Sequence, residues 1–160
     1  MKVLLHPNDI LGQRAEEVVF GTIDTYNEIN LLSEEMRAVV QDNSLIGISG
    51  NQIGVKKRIF IVAFGVNEDG TKNMVTFINP VIKVKNPKDT ALMFEGCASL
   101  PNMEYMVKRP KVITVTAKNV FGIEFGMVLG GIASRAVQHE NSHLNGKLLI
   151  DMRNYGTRDV

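Results

Sequence analysis

The chain has 160 residues, 44% of them hydrophobic and 22% charged, with a formal net charge of +1. That length suits one domain with a real core, and the composition excludes a disordered, collagenous or membrane-spanning chain. A charge so close to neutral argues against a protein built to neutralise nucleic-acid phosphates.

The N-terminus, MKVLLHPND, holds an apolar run of three residues closed by His6-Pro7, too short for a signal-peptide core. Glu16, Glu17 and Asp24 argue against an acid-poor transit segment. Residues 25–43 place Ile29, Leu32, Met36, Val39 and Val40 at three- and four-residue steps. This spacing predicts an amphipathic helix with one buried stripe, ending near Asn43-Ser44. A glycine-punctuated stretch, LIGISGNQIG, follows.

RIFIVAF (58–64) is continuously apolar and reads as a strand covered on both faces. NEDGTKN (67–73) carries an Asp-Gly turn signal and MVTFINP resumes a strand, which predicts a hairpin. VIKVK (81–85) and KVITVTA (111–117) alternate as half-exposed strands do, and IEFGMV returns after the KNVFG turn. The basic spots VKKRI (55–59) and VKRPK (107–111) read as solvated strand ends. From Gly130 onward the pattern is helical, with Ile132, Ala136, His139 or Glu140, and His143 on one side. The expected fold is α+β: an N-terminal amphipathic helix, small antiparallel sheets, and a late helix carrying the histidines. With no repeat or linker, residues 1–160 read as a single domain.

AVQHENSHLNG (136–146) contains His-Glu-x-x-His. Positions i and i+4 share a helix face, so His139 and His143 can present nitrogens to one ion, with Glu140 beside them. Two of the chain's three histidines fall at this spacing around a glutamate, which chance seldom arranges. Two imidazoles alone do not hold a catalytic metal. One peptidase scheme takes a Glu downstream, but the 17 residues after His143 contain none. Another needs His-x-x-Gly-x-x-His; here Gly146 fits, while Leu149 stands at the histidine position. The third draws a ligand from upstream, where Cys97 is the only thiol, in FEGCASLP (94–101). Alone, a single cysteine reads as a small buried residue. Beside an incomplete metal helix it is the candidate third ligand, suited to a tetrahedral late first-row ion. A lone cysteine forms no internal disulfide, which points to a reducing cytoplasm.

LIGISGNQ (45–52), EGCAS (95–99) and QHENSH (138–143) resemble, in order and spacing, the three motifs of the peptide deformylase family. The resemblance implies hydrolysis of the N-formyl group of formyl-methionyl nascent peptides, releasing formate. It implies one divalent metal, ferrous iron, with zinc or nickel able to take the same place, held by Cys97, His139 and His143. It makes Glu140 the general base and then the acid that protonates the departing amine. The Gln52 side-chain amide and the backbone N–H of Ala98 would stabilise charge on the formyl oxygen, each such donor being worth about 10²–10³ in rate. Ile46, Gly47, Ile132, Arg135 and Ala136 would meet the substrate, Gly47 by letting its backbone pair alongside. Glu95 and Arg109 resemble an ion pair that braces the cysteine loop. The implied setting is a cytoplasmic monomer acting on nascent chains at the ribosome exit, with no nucleic-acid or membrane contact.

Several positions depart from the motifs. Asn51 replaces proline and Ser49-Gly50 replace two alanines, which predicts a more mobile loop. Ala98 replaces leucine, enlarging the local space. Ser142 replaces an aspartate that would support the metal ligands. Arg135 stands where an aliphatic residue is usual, and two outcomes are open: its stem runs along the pocket wall with the charge in water, or it narrows or repurposes the pocket. The tail is short and resembles a pared-down form of the family, of the kind found in viral genomes. A binding or decoy module with weak activity, and a small metallopeptidase, are the rival readings.

Overall fold

The predicted stripe forms. A helix over Ile23–Asp42 (α1) buries Ile29, Leu32, Met36, Val39 and Val40 on one face. Thr22 caps it, its hydroxyl accepting the N–H of Thr25 at 3.3 Å. At the far end Lys72 Nζ donates to the carbonyls of Val40 (2.8 Å) and Leu45 (2.7 Å). A cation there meets the negative end of the helix dipole. In the computed structural model the backbone of residues 1–160 and all side chains except those of Arg153 and Asn154 are described.

The strands are Gly47–Ser49 (β1), Ile59–Val66 (β2), Lys72–Val84 (β3), Thr90–Cys97 (β4), Leu100–Pro110 (β5), Val112–Lys118 (β6), Glu124–Gly130 (β7) and Thr157–Asp159 (β8), with a second helix over Gly131–Leu144 (α2). They form two antiparallel sheets, β1-β2-β3-β6-β7 and β4-β5-β8. The α+β expectation holds.

β2 explains its unbroken apolar run. Ile59 and Ile61 join the α1 side of the core with Ile48 and Ile78. Phe60 and Val62 face the α2 side with Phe77, Val115, Val137 and Leu144. Helices cover both faces, so neither parity of Ile59–Val62 meets water. Each such side chain contributes about 1.5–3 kcal/mol relative to exposure, and Phe60 stacks on Phe77 with centroids 4.9 Å apart.

The structure departs from the sequence reading in three places. MVTFINP and VIKVK are one strand, β3, whose register shifts between Ile78 and Val81. Asn79 makes the shift, with φ of 50° and its side chain bonding both backbone groups of Val18; Asn tolerates this left-handed region better than most residues. The cysteine segment itself lies in a hairpin, β4–β5, with an irregularity between Gly96 and Cys97. Each basic spot also buries an arginine. Arg58 donates to Leu144 O (3.1 Å) and Asn145 Oδ1 (3.1 Å), capping α2, and Arg109 turns into the site.

Gly146, one turn past His143, has φ of 68°, and a Cβ there would sit 2.5 Å from the carbonyl oxygen of Gly12. The end of α2 lies directly on the N-terminal segment, where Ala15 N also donates to Leu144 O at 2.9 Å. Gly146→Ala is expected to destabilise the fold by about 2–4 kcal/mol, from left-handed strain plus overpacking, read as a lower urea midpoint.

Candidate active site

α2 carries His139 and His143 on one face, and the β4–β5 hairpin brings Cys97 to them. Cys97 Sγ lies 3.3 Å from His143 Nε2, which lies 3.2 Å from His139 Nε2. All three ligand atoms fall within 4.8 Å of one another. A thiol and two imidazoles converging this closely fit a late first-row ion.

His139 is oriented from behind. Its Nδ1 donates to Glu95 Oε2 at 3.0 Å, turning Nε2 inward. Arg109 grips both oxygens of Glu95, Nε to Oε1 at 2.7 Å and Nη2 to Oε2 at 2.8 Å. Burial alone would raise the Glu95 carboxyl, but the hydrogen bonds and charges of Arg109 and His139 outweigh it and hold it at about 2. Burial likewise opposes a charged His139, and the hydrogen bonds its ring donates to Cys97 and Glu95 reverse this, lifting the ring to about 10. His143, almost fully buried, is pushed well below its ordinary value by burial and by the charges of His139 and Arg109. Ser142 takes the aspartate's place quietly: it donates to Gln138 O at 2.8 Å and accepts from Arg109 Nη1 at 3.3 Å.

Glu140 is 4% exposed, and its Oε2 has no hydrogen-bond partner. Burial raises this carboxyl to about 7 against the pull of His139 and Arg109. A carboxyl near neutrality with a free oxygen can both take and return a proton. Gly47 lies against it. A Cβ at Gly47 would stand 2.7 Å from Glu140 Oε1 and 2.8 Å from Ile61 O, so the glycine is needed for this approach of β1 to α2.

Gln52 is set with its donor toward the ligands. Its Oε1 accepts from Ser49 N (3.0 Å) and Ser49 Oγ (3.2 Å), while Nε2 donates to Ser99 Oγ (3.2 Å) and lies 3.5 Å from Cys97 Sγ. The expected loop mobility does not follow, because Asn51 is fully buried and ties the turn to Ile10 O (3.2 Å) and Gln13 O (2.6 Å). Two hydrogen bonds replace the proline ring's constraint. The N-terminal segment also joins the two donor loops, Leu4 N reaching Gln52 O at 2.7 Å and His6 N reaching Ser99 O at 2.9 Å.

A cavity of about 450 Å³ opens onto these groups. Of the site residues expected from sequence, all except Arg109 and His143 line it; Ile46 and Ile132 stand at its exposed rim. Of the two outcomes open for Arg135, the charge held in water does not occur: the residue is 8% exposed and its charge is buried in an ion pair with Glu95. Sequence reading missed Phe94 and Glu104, which also line the cavity and meet Arg158 of β8. The signal for Phe94 was the apolar run ALMF within β4; Glu104 of β5 had none.

Known proteins place this arrangement. A family model described as polypeptide deformylase matches residues 1–158. Peptide deformylase 1 of Clostridium perfringens is 40% identical over 128 residues, covering 80% of this chain and 83% of the relative. The crystal structure of a probable peptide deformylase from synechococcus phage S-SSM7 superposes with a TM-score of 0.85 at 34% identity, covering 94% of this chain and 98% of the other. A peptide deformylase from Acinetobacter baumannii with Met-Ala-Ser bound superposes at 0.83, with 29% identity over 95% of this chain and 97% of that one. A family model that spans nearly the whole chain, with a relative 40% identical, shows that the chain belongs to the polypeptide deformylase family.

Proposed function

We propose that this chain hydrolyses the N-formyl group of formyl-methionyl nascent peptides, giving formate and a free amine. The observation that carries the reading is the convergence of Cys97, His139 and His143 beside Glu140, whose Oε2 is free, at the wall of one cavity.

Cys97, His139 and His143 would hold one divalent ion, which supplies Lewis acidity to water and to the formyl oxygen when bound. Ferrous iron is the proposed native ion, with zinc or nickel accepted by the same donors. Glu95 keeps His139 in the tautomer that leaves Nε2 as the donor atom. Glu140 takes a proton from the attacking water and returns it to the amine nitrogen as the C–N bond breaks. Gln52 Nε2 and the Ala98 backbone N–H face negative charge developing on the formyl oxygen. Ile46 and Ile132 at the rim, with Ala136 deeper, contact the first side chain, and β1 at Gly47 aligns the peptide backbone.

Cys97 serves as a thiolate only under reducing conditions, which supports a cytoplasmic site of action on chains leaving the ribosome. No helix among the described residues is long and apolar enough to cross a membrane. The chain is proposed to act as a monomer without contacting nucleic acid.

The test is formate release from formyl-Met-Ala-Ser by anaerobic, iron-loaded protein, beside acetyl-Met-Ala-Ser and unformylated peptide. Release confined to the formyl peptide is expected, and internal cleavage of the unformylated peptide would replace this reading with a peptidase. Within it, Gly47→Ala is expected to lower kcat about 10–100-fold, because the added methyl displaces the Glu140 carboxylate. Metal content should stay at one ion per chain, since Gly47 touches no ligand. Metal analysis and kcat on the same sample check both.

A further inference from the structure

Arg135 stands one helical turn before His139 on α2 and lines the cavity. Its Nη1 donates to Glu95 Oε1 and, at 3.1 Å, to Val107 O, while Nη2 donates to Ala91 O at 2.8 Å. The head therefore joins α2 to both strands of the β4–β5 hairpin. Withdrawing it would strip buried acceptors of their partners, so this wall cannot yield to a substrate as an aliphatic side chain does.

A guanidinium carries five N–H groups. Three are taken, and no described residue accepts the Nε–H or the second Nη2 hydrogen. Among the described residues, the buried side-chain polar atoms without a partner are Asn51 Oδ1, Glu140 Oε2 and His143 Nδ1. Arg135 Nε has no partner and is not among these buried atoms, so it is not sealed from solvent, and the open space beside Arg135 is the cavity it lines. The ion pair of Arg135 is a shared one. Arg109 and Arg135 share the single carboxylate of Glu95, and Ser142, the other neighbour of Arg109, is neutral.

The geometry points to Arg135 as a specificity-determining residue that makes the cavity select a first side chain ending in a hydrogen-bond acceptor. Three side chains of nearly equal shape grade that property. Methionine sulfoxide ends in a strong acceptor oxygen, methionine carries a weakly accepting thioether, and norleucine has only a methylene. An aliphatic wall would reverse the order, because it leaves the sulfoxide oxygen unpaired. This inference rests on the deformylase reading for the identity of the substrate, though not for the chemistry of the wall.

The experiment measures kcat/KM for the formyl tripeptides X-Ala-Ser, with X as each of the three residues, in the wild type, Arg135→Leu and Arg135→Lys. The wild type should rank sulfoxide first, methionine next and norleucine last. The sulfoxide-to-norleucine ratio should fall about 10–100-fold in Arg135→Leu, the size of one hydrogen bond to a charged group, and less in Arg135→Lys, which keeps a charged donor. A role confined to holding Glu95 would lower all three substrates together and leave the ratio fixed, which overturns the proposal. Norleucine equal to or above methionine sulfoxide in the wild type overturns it without any variant. Calorimetric binding of the unformylated tripeptides reads the same ranking without catalysis. A chain that releases no formate yet binds them in this order sinks the deformylase reading while supporting Arg135.

Discussion

Replacing Glu140 with alanine is expected to lower kcat for formate release by about 10²–10⁴-fold, the contribution of a positioned acid–base group. The direction follows from the site. Glu140 is the one carboxylate in the cavity wall that is buried, raised to about 7 and left with a free oxygen. Glu95 is saturated by Arg109, Arg135 and His139, and Glu104 is paired with Arg158. Neither can take over the proton. The three ligand atoms do not depend on Glu140, so the variant should keep one ion per chain, and KM should change little. Glu140→Gln preserves the volume and should lose as much rate, which separates lost chemistry from a collapsed cavity. A variant within ten-fold of wild type would remove Glu140 from the mechanism.

The second large effect is expected at Cys97. Cys97→Ser exchanges a soft thiolate for a hydroxyl that stays protonated at neutral pH, beside two imidazoles already in place. Metal affinity should fall by more than the roughly 10–100-fold typical of losing a supporting partner, and formate release should fall with it. The protein should remain folded, because Cys97 sits at a strand end and is only partly buried. Metal retained after desalting, together with the far-UV spectrum, checks this outcome. A variant that keeps a full ion would move the third ligand elsewhere.

Much of this site was legible because its chemistry is local. His139, Glu140 and His143 share one helix face, so spacing alone assembles them. Cys97 had to come from 42 residues upstream, and only the failure of the downstream schemes, with the motif resemblance, drew it in. α1 was legible because one face is buried, and β2 because both are.

What stayed hidden depends on who meets whom across the fold. Gly47 reads as a permissive backbone position, but its reason is Glu140, 93 residues later, pressing where a Cβ would be. Asn51 in place of proline reads as a looser loop, and only the packed N-terminal segment reveals its two tethers. Arg135 reads equally as a snorkelling side chain or as one that narrows the pocket, because no local pattern announces that β4 will set Glu95 and the Ala91 carbonyl within its reach. A charge placed next to such partners stays inside. The β4–β5 hairpin was read only in part because it exposes Leu92 and Met93, which blurs the alternation that marks a half-buried strand.

The proposed activity requires one ion held by Cys97, His139 and His143. Anaerobic titration of metal-free protein with ferrous iron, following formate release from formyl-Met-Ala-Ser, tests it most directly. Activity should begin from background and rise linearly to a break at one ion per chain. Full binding of one ion without formate release, or release that does not depend on the ion, would contradict it.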